Sequence, residues 1–200
     1  MPKSTFYNLN NDKKEKIKKA IRNEFSKNSF SKASISNIIE EAKIPRGSFY
    51  QYFEDKEDAL KYILDEVAQK ERKEVLDILN RNSGDIFKTG IESFDYIISK
   101  SMNEKEMQFF KNVIQEIKDE NIDFQLPIRK NYKDNIENWN INTDNLNISS
   151  EEDIKYILRI LFVVIKSQIM DVIFKKVTKE KAKKNLVKQI EILKFGMVKK

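Results

Sequence analysis

Interruptions are scarce in this chain: its 200 residues include only 4 glycines and 3 prolines. Those two residues punctuate regular structure most strongly, so long helices are the default expectation. The apolar residues fall where helices need them. Ile17, Ala20, Ile21 and Phe25 recur at three- and four-residue intervals and form one stripe. No internal repeat, heptad array or strand-like alternation stands beside this pattern. With 40% hydrophobic and 35% charged residues, the chain can pack a core and still solvate its helical surfaces. An all-α fold follows.

The spacing predicts a first helix over 12–27, with Asp12 and Glu15 as a capping pair, and a stop at Asn28 and Ser29. A short second helix begins at Ser34, whose hydroxyl can accept from an unpaired backbone N–H. Ile35, Ile38, Ile39 and Ala42 form its apolar face. A tight turn over 43–45 leads to a third helix, 46–53, where Pro45 suits a helix start. Asp55 opens a long fourth helix, with Asp58 three residues on, running to about Leu79. Phe87, Ile91 and Phe94 belong to one later segment. Met107, Phe110, Val113 and Ile117 belong to the next, with Asn103 and Glu106 as its cap pair. Pro127 interrupts, and Ile128, Tyr132 and Ile136 suggest a short helix ending near Trp139. Residues 140–150 read as a polar loop, and two final helices cover 151–177 and 179–195.

Charge is unevenly placed. Residues 1–56 carry 12 basic and 7 acidic side chains, residues 57–174 carry 16 and 23, and residues 175–200 carry 10 and 2. A basic N-terminal module fits a polyanion, although a solvated lysine-rich face has the same charge. The basic C-terminal run reads most simply as a packed helix, with Ala182, Leu186, Ile190 and Leu193 inward and a wet side outward.

Several functions are disfavoured. The chain has no histidine and no cysteine, which removes the usual general base near neutral pH and the thiolate nucleophiles and ligands. The four glycines, Gly47, Gly84, Gly90 and Gly196, are isolated, so no phosphate-cradling loop is present. No cofactor and no enzymatic activity are expected. The longest apolar run, 160–165, falls far short of the roughly 20 residues that span a bilayer. No signal peptide is legible at the start, so a cytoplasmic location is expected.

The informative stretch lies between Ile17 and Leu60: three helices, the second pair joined by a tight turn. At 100° per residue, Phe49, Tyr52 and Phe53 share one side of the third helix. Gly47 and Gln51 fall opposite, flanked by Ser48 and Tyr50. Such a face can enter a major groove, where each base pair displays a distinct donor and acceptor pattern. Phe25, Phe49 and Phe53 read as core.

Three runs carry a resemblance: Ala33-Ser34-Ile35-Ser36-Asn37-Ile38-Ile39; then Ala42-Lys43-Ile44-Pro45-Arg46-Gly47-Ser48-Phe49-Tyr50-Gln51-Tyr52-Phe53; then Asp55-Lys56-Glu57-Asp58-Ala59-Leu60. Together they resemble the DNA-binding signature of the TetR family of repressors, over about the first quarter of the chain. The resemblance implies a homeodomain-like helix-turn-helix domain over 1–56, and a larger helical domain over 57–200 for effector binding and dimerisation. It implies that Ser34 and Ser36 meet phosphate or a base. Arg46, Gly47 and Ser48 would sit at the mouth of the recognition helix, with Tyr50 and Gln51 facing the groove. Tyr52 would reach phosphate while packing partly inward, and Lys56 would hold a backbone phosphate. The family usually has glycine where this chain has Ser29 and Lys43, and Ser or Thr in place of Pro45. A non-glycine residue at positive φ costs on the order of 1 kcal/mol.

The expected partners are double-stranded operator DNA, a second copy of the chain and a small-molecule effector. The dimer is expected through the last two helices, whose stripes are Ile154, Ile157, Leu158, Leu161 and Ile165, and Leu186, Ile190 and Leu193. Phe94, Met107, Phe110, Trp139, Phe162 and Met170 are candidates for the effector pocket, and each also reads as ordinary core. The alternative is a DNA-binding or interaction protein of the same fold that senses no small molecule.

Overall fold

The computed structural model describes residues 1–101, 104–118 and 139–197. Among them are nine helices: α1 Ser4–Tyr7, α2 Asn11–Lys27, α3 Ile35–Ala42, α4 Arg46–Tyr52, α5 Lys56–Arg81, α6 Ile86–Ser101, α7 Glu104–Lys118, α8 Glu151–Ile173 and α9 Lys179–Met197. The expected cap at Asn103 and the expected helix between Pro127 and Trp139 lie outside the described residues. Among the described residues, no helix is long and apolar enough to cross a membrane.

The chain packs as two compact units. One comprises Met1–Gln69 with Asn103–Arg129, the other Lys70–Met102 with Lys130–Lys200. Packing thus divides the chain elsewhere than the functional boundary expected at 56/57, and α5 contributes to both units.

In the first unit the expected stripes turn inward. Ile17, Ile21, Phe25, Ile38, Phe49, Phe53, Leu60 and Ile63 are each at most 1% exposed. Fully burying such side chains contributes about 1.5–3 kcal/mol apiece. The α2 start differs from expectation. Its N-cap is Asn10, whose side chain accepts from the Lys13 N–H at 2.9 Å, so the helix begins one residue before Asp12. At the α5 start, Asp55 accepts from the Asp58 N–H at 2.8 Å, and Asp58 reaches back to the Glu54 N–H at 3.2 Å. The helix α1 has no counterpart in the sequence reading. Its Phe6 is fully buried against Tyr52, Phe53 and Tyr62.

α7 belongs to this unit and packs on α2. Phe109 and Val113 enter the same core. Asn112 Nδ2 donates to the carbonyls of Phe25, Ser26 and Asn28 at 2.9, 3.2 and 3.1 Å. These are acceptors that a helix C-terminus otherwise leaves unpaired. Glu106 meets Arg22 at 3.3 Å. Lys18 pairs with both Glu15 and Glu66. Burial works against its charge, but the two carboxylates outweigh that and hold its ammonium above the ordinary lysine range.

In the second unit α6, α8 and α9 pack on one another. α6 and α9 run antiparallel, with Lys194 over the Phe87 ring at one end and Lys183 bonded to Asp95 at 2.6 Å toward the other. Phe94, Ala182 and Leu186 are fully buried. Gly90 lets α8 come close, since a Cβ there would stand 2.9 Å from Ile165 Cδ1. Gly84 answers two demands at once. Its φ is +81°, and a Cβ would stand 2.4 Å from the Asn142 backbone nitrogen. The Asn142 N–H donates to the Gly84 carbonyl at 3.1 Å, which ties the 139–149 loop to the end of α5.

The stripes expected to form the dimer face are largely consumed here. Ile157, Leu161, Leu186 and Ile190 are at most 7% exposed within the protomer's own core, and Leu158, Ile165 and Leu193 pack against it. A periodic apolar face marks burial without saying against which chain. Among the described residues of this unit, the large apolar side chains left exposed are Tyr156, Ile160 and Val163 on α8, with Ile192 and Phe195 on α9.

One titration should be visible in this unit. Burial pushes the Glu71 carboxyl up from 4.5 to about 7, against a weaker downward pull from Lys100. Between those values the folded chain holds a proton that the unfolded chain has released. Stability is therefore fully present at acid pH and declines as pH rises toward about 7. Glu71→Gln should flatten that decline and raise stability at pH 8 by about 1–3 kcal/mol. Urea midpoints measured across pH check this, and a variant that tracks the wild-type curve would refute it.

Candidate nucleic-acid interface

The helix-turn-helix is assembled around a buried carboxylate. Glu24, near the end of α2, is 4% exposed. It accepts from the Ser34 N–H at 2.8 Å, from Asn28 Nδ2 at 3.1 Å and from Asn37 Nδ2 at 3.1 and 3.2 Å. It thereby joins the end of α2 to the start of α3. Buried charge is tolerated only where hydrogen bonds replace water, and this carboxylate has four. Ser34 sits half-buried beside it and caps α3, its hydroxyl accepting from the Ser36 N–H at 3.2 Å.

The turn follows from three residues. Lys43 ends α3 in the left-handed region at φ +53°, and its N–H donates to the Glu40 carbonyl at 3.2 Å. The glycine-like geometry expected there is real and is carried by a lysine. Ser29, the other position where the family favours glycine, is not among the positive-φ residues. Ile44 drops into the core. Pro45 caps α4 with extended backbone, and its carbonyl accepts from the Ser48 N–H at 2.9 Å. The helix ends at Tyr52, with Phe53 as its C-cap.

The expected contact residues divide into two groups. Ser36, Arg46, Gly47, Tyr50 and Gln51 are exposed on α3 and α4. Tyr50 is 41% exposed and leans edge-on against Phe49 at 5.6 Å. Ser48 is half-buried. Tyr52 and Lys56 are instead engaged within the protein. The Tyr52 side chain is 5% exposed, edge-on to Phe6 at 6.0 Å. The Lys56 ammonium donates to the carbonyls of Phe30, Ala33 and Ser31 at 2.8, 3.1 and 3.3 Å, and lies 4.8 Å from the Phe30 ring centroid. Three donors meet three acceptors. Glu24 was not legible as part of this site, because a lone glutamate in a lysine-rich helix carries no signal of burial.

Gly47 stands apart. A Cβ at this position would meet nothing within 4 Å, so no packing among the described residues calls for glycine. Within a helix glycine is less favourable than alanine by about 0.5–1 kcal/mol. Gly47→Ala should therefore raise the thermal midpoint, and a lower midpoint would show an unrecognised strain.

The six effector-pocket candidates fall in both units. Met107 and Phe110 are half-buried on α7 of the first. In the second, Phe94 is fully buried in the core and Trp139 packs partly buried against it. Phe162 and Met170 are half-buried on α8. Among the described residues, no group of acidic side chains could hold a metal ion.

Sequence comparison places this geometry. Residues 85–197 match the family described as "Tetracyclin repressor-like, C-terminal domain", and residues 17–63 match "Bacterial regulatory proteins, tetR family". The chain belongs to the TetR family. Solved structures of TetR regulators share its fold. One, a TetR family transcriptional regulator from Chloroflexus aurantiacus J-10-FL, is 22% identical with TM-score 0.53, and the match covers 100% of both chains. Another, from Mesorhizobium loti MAFF303099 and assigned to the same family, is 15% identical with TM-score 0.67. That match covers 94% of this chain and 98% of the other. No curated protein gives a significant match. TetR proteins are DNA-binding transcriptional regulators, not enzymes.

Proposed function

We propose that this TetR regulator is a repressor that binds operator DNA as a homodimer and releases it when a small molecule binds the larger domain. The observation that carries the DNA reading is the α4 surface. Arg46, Gly47, Tyr50 and Gln51 are all exposed, and among the described residues no neighbour crowds the glycine. Gln51 is the proposed base reader, because its amide can pair bidentately with adenine. Arg46 and Ser36 are proposed to hold phosphates, and Gly47 to let the backbone come close to the duplex.

The dimer reading rests on α8 and α9. Tyr156, Ile160 and Val163 recur at four- and three-residue intervals and stay 41–59% exposed, while Phe195 on α9 is 83% exposed. Exposed apolar rows of this kind mark an interaction surface. Two-fold pairing would present two recognition helices to the duplex. The effector reading rests on the repressor-like description of residues 85–197, with Phe94, Trp139, Phe162 and Met170 as proposed lining in that stretch.

Selection of bound duplexes from a random-sequence library, followed by titration of the full-length chain, tests the reading. A sequence preference is expected, and Gln51→Ala should relax it at particular base pairs by about 1–3 kcal/mol. An unchanged preference would remove Gln51 as a reader. Val163→Glu should yield a folded monomer that binds the selected duplex poorly. A small molecule that releases DNA must bind more weakly when DNA is present, by the same factor. Finding none that does so would favour a regulator that senses no small molecule.

A further inference from the structure

The seven residues of α4 form two turns, too few to hold a helix in water without support. Its last four carbonyls have no partner within the helix itself, yet each is satisfied. Phe49 O accepts from the Phe53 N–H at 2.9 Å. The other three are met from the start of the chain. Tyr50 O accepts from Lys3 Nζ at 2.9 Å, Gln51 O from the Thr5 hydroxyl, and Tyr52 O from the Lys3 N–H at 2.9 Å. Phe6 locks the strap down, fully buried against Tyr52, Phe53 and Tyr62. The Lys3 charge also lies at the negative end of the helix.

We propose that residues 3–6 are a positioning element for the DNA-reading helix, and that they set its sequence preference without touching DNA. The strap lies outside the segment, 17–63, that matches the family's DNA-binding domain. The carbonyls it caps belong to Tyr50, Gln51 and Tyr52, so it fixes the backbone beneath the exposed side chains of the first two. An uncapped C-terminal turn frays, and each reader then aims at several places. Order imposed before binding is order that DNA need not impose. The inference rests on α4 being the DNA-reading helix.

The test uses full-length chains, a duplex enriched by the wild type from a random-sequence library, and a scrambled duplex. Thr5→Val removes one cap with no change of charge. It should lower the selected-to-scrambled affinity ratio several-fold, while scrambled-duplex affinity and its salt slope stay at wild-type values. Thr5→Ser, which keeps the hydroxyl, should restore the ratio. Lys3→Met with Thr5→Val should lower the ratio about tenfold, equivalent to about 1.4 kcal/mol. A merely structural role would weaken both duplexes together and lower the thermal midpoint. Equal losses on the two duplexes, or a ratio unchanged in both variants, overturn the proposal. If the wild type enriches no sequence, the DNA reading falls and this inference with it. If the wild type enriches one and the variants keep the same ratio, this inference falls alone.

Discussion

Glu24→Ala is expected to destabilise the chain by about 2–4 kcal/mol, the range for removing one member of a buried, charged hydrogen-bond network. The Ser34 N–H loses its acceptor, and the amides of Asn28 and Asn37 lose theirs. The methylenes of a 4% exposed side chain leave space behind as well. The seam between the end of α2 and the start of α3 is where the damage should concentrate. DNA affinity should therefore fall at temperatures where the chain is still folded. Urea unfolding gives the first quantity and titration with a selected duplex the second. Glu24→Gln should sit between, because its amide oxygen can still accept from Ser34 while its nitrogen faces other donors. A loss below about 1 kcal/mol for alanine would mean that water replaces the carboxylate at little cost.

Lys56→Ala should cost about 1.5–3 kcal/mol, since charge-assisted hydrogen bonds are the strong ones and this ammonium makes three within a single loop. Arginine should not rescue it. A planar guanidinium cannot reproduce the three-pronged geometry that meets Phe30, Ser31 and Ala33. The resemblance to TetR repressors gives this lysine a phosphate instead, and the two roles separate in the salt dependence. A structural lysine leaves the slope of log affinity against log salt unchanged, whereas a phosphate contact lowers it by about one. The geometry favours the unchanged slope.

Local signals made much of the first unit legible. The stripe of Ile17, Ala20, Ile21 and Phe25, the hydroxyl cap at Ser34 and the Asp55–Asp58 pair all depend on neighbours within a turn or two, and all stand where expected. The exposure of Arg46, Tyr50 and Gln51 follows from the 100° step along a short helix. What stayed hidden depends on residues far apart in sequence. α1 has four residues and exists because Phe6 finds Tyr52 and Phe53. Lys56 reads as a free cation until loop carbonyls from residues 30–33 close around it. The apolar rows of α8 and α9 were legible as rows, but amphipathicity cannot separate a protomer's own core from a partner's. Ile157 and Leu161 therefore looked like dimer contacts, while Tyr156 and Val163 keep the exposed side. The six pocket candidates are large apolar residues of the larger domain, and size and apolarity alone do not tell α7 from the elements of the second unit.

The Asn112 side chain closes the end of α2 from almost ninety residues downstream in the chain, and Phe109 and Val113 complete the same core. The helix-turn-helix unit of this protein is consequently not a contiguous cassette. A fragment cut after residue 56 or 69 would carry every residue of the helix-turn-helix and still lack part of what holds it together. Three carbonyls would lose their side-chain donor, and the core would lose Phe109 and Val113. Transplanting this helix-turn-helix onto another regulator therefore requires α7, or a helix redesigned to imitate it, to travel with the N-terminal segment.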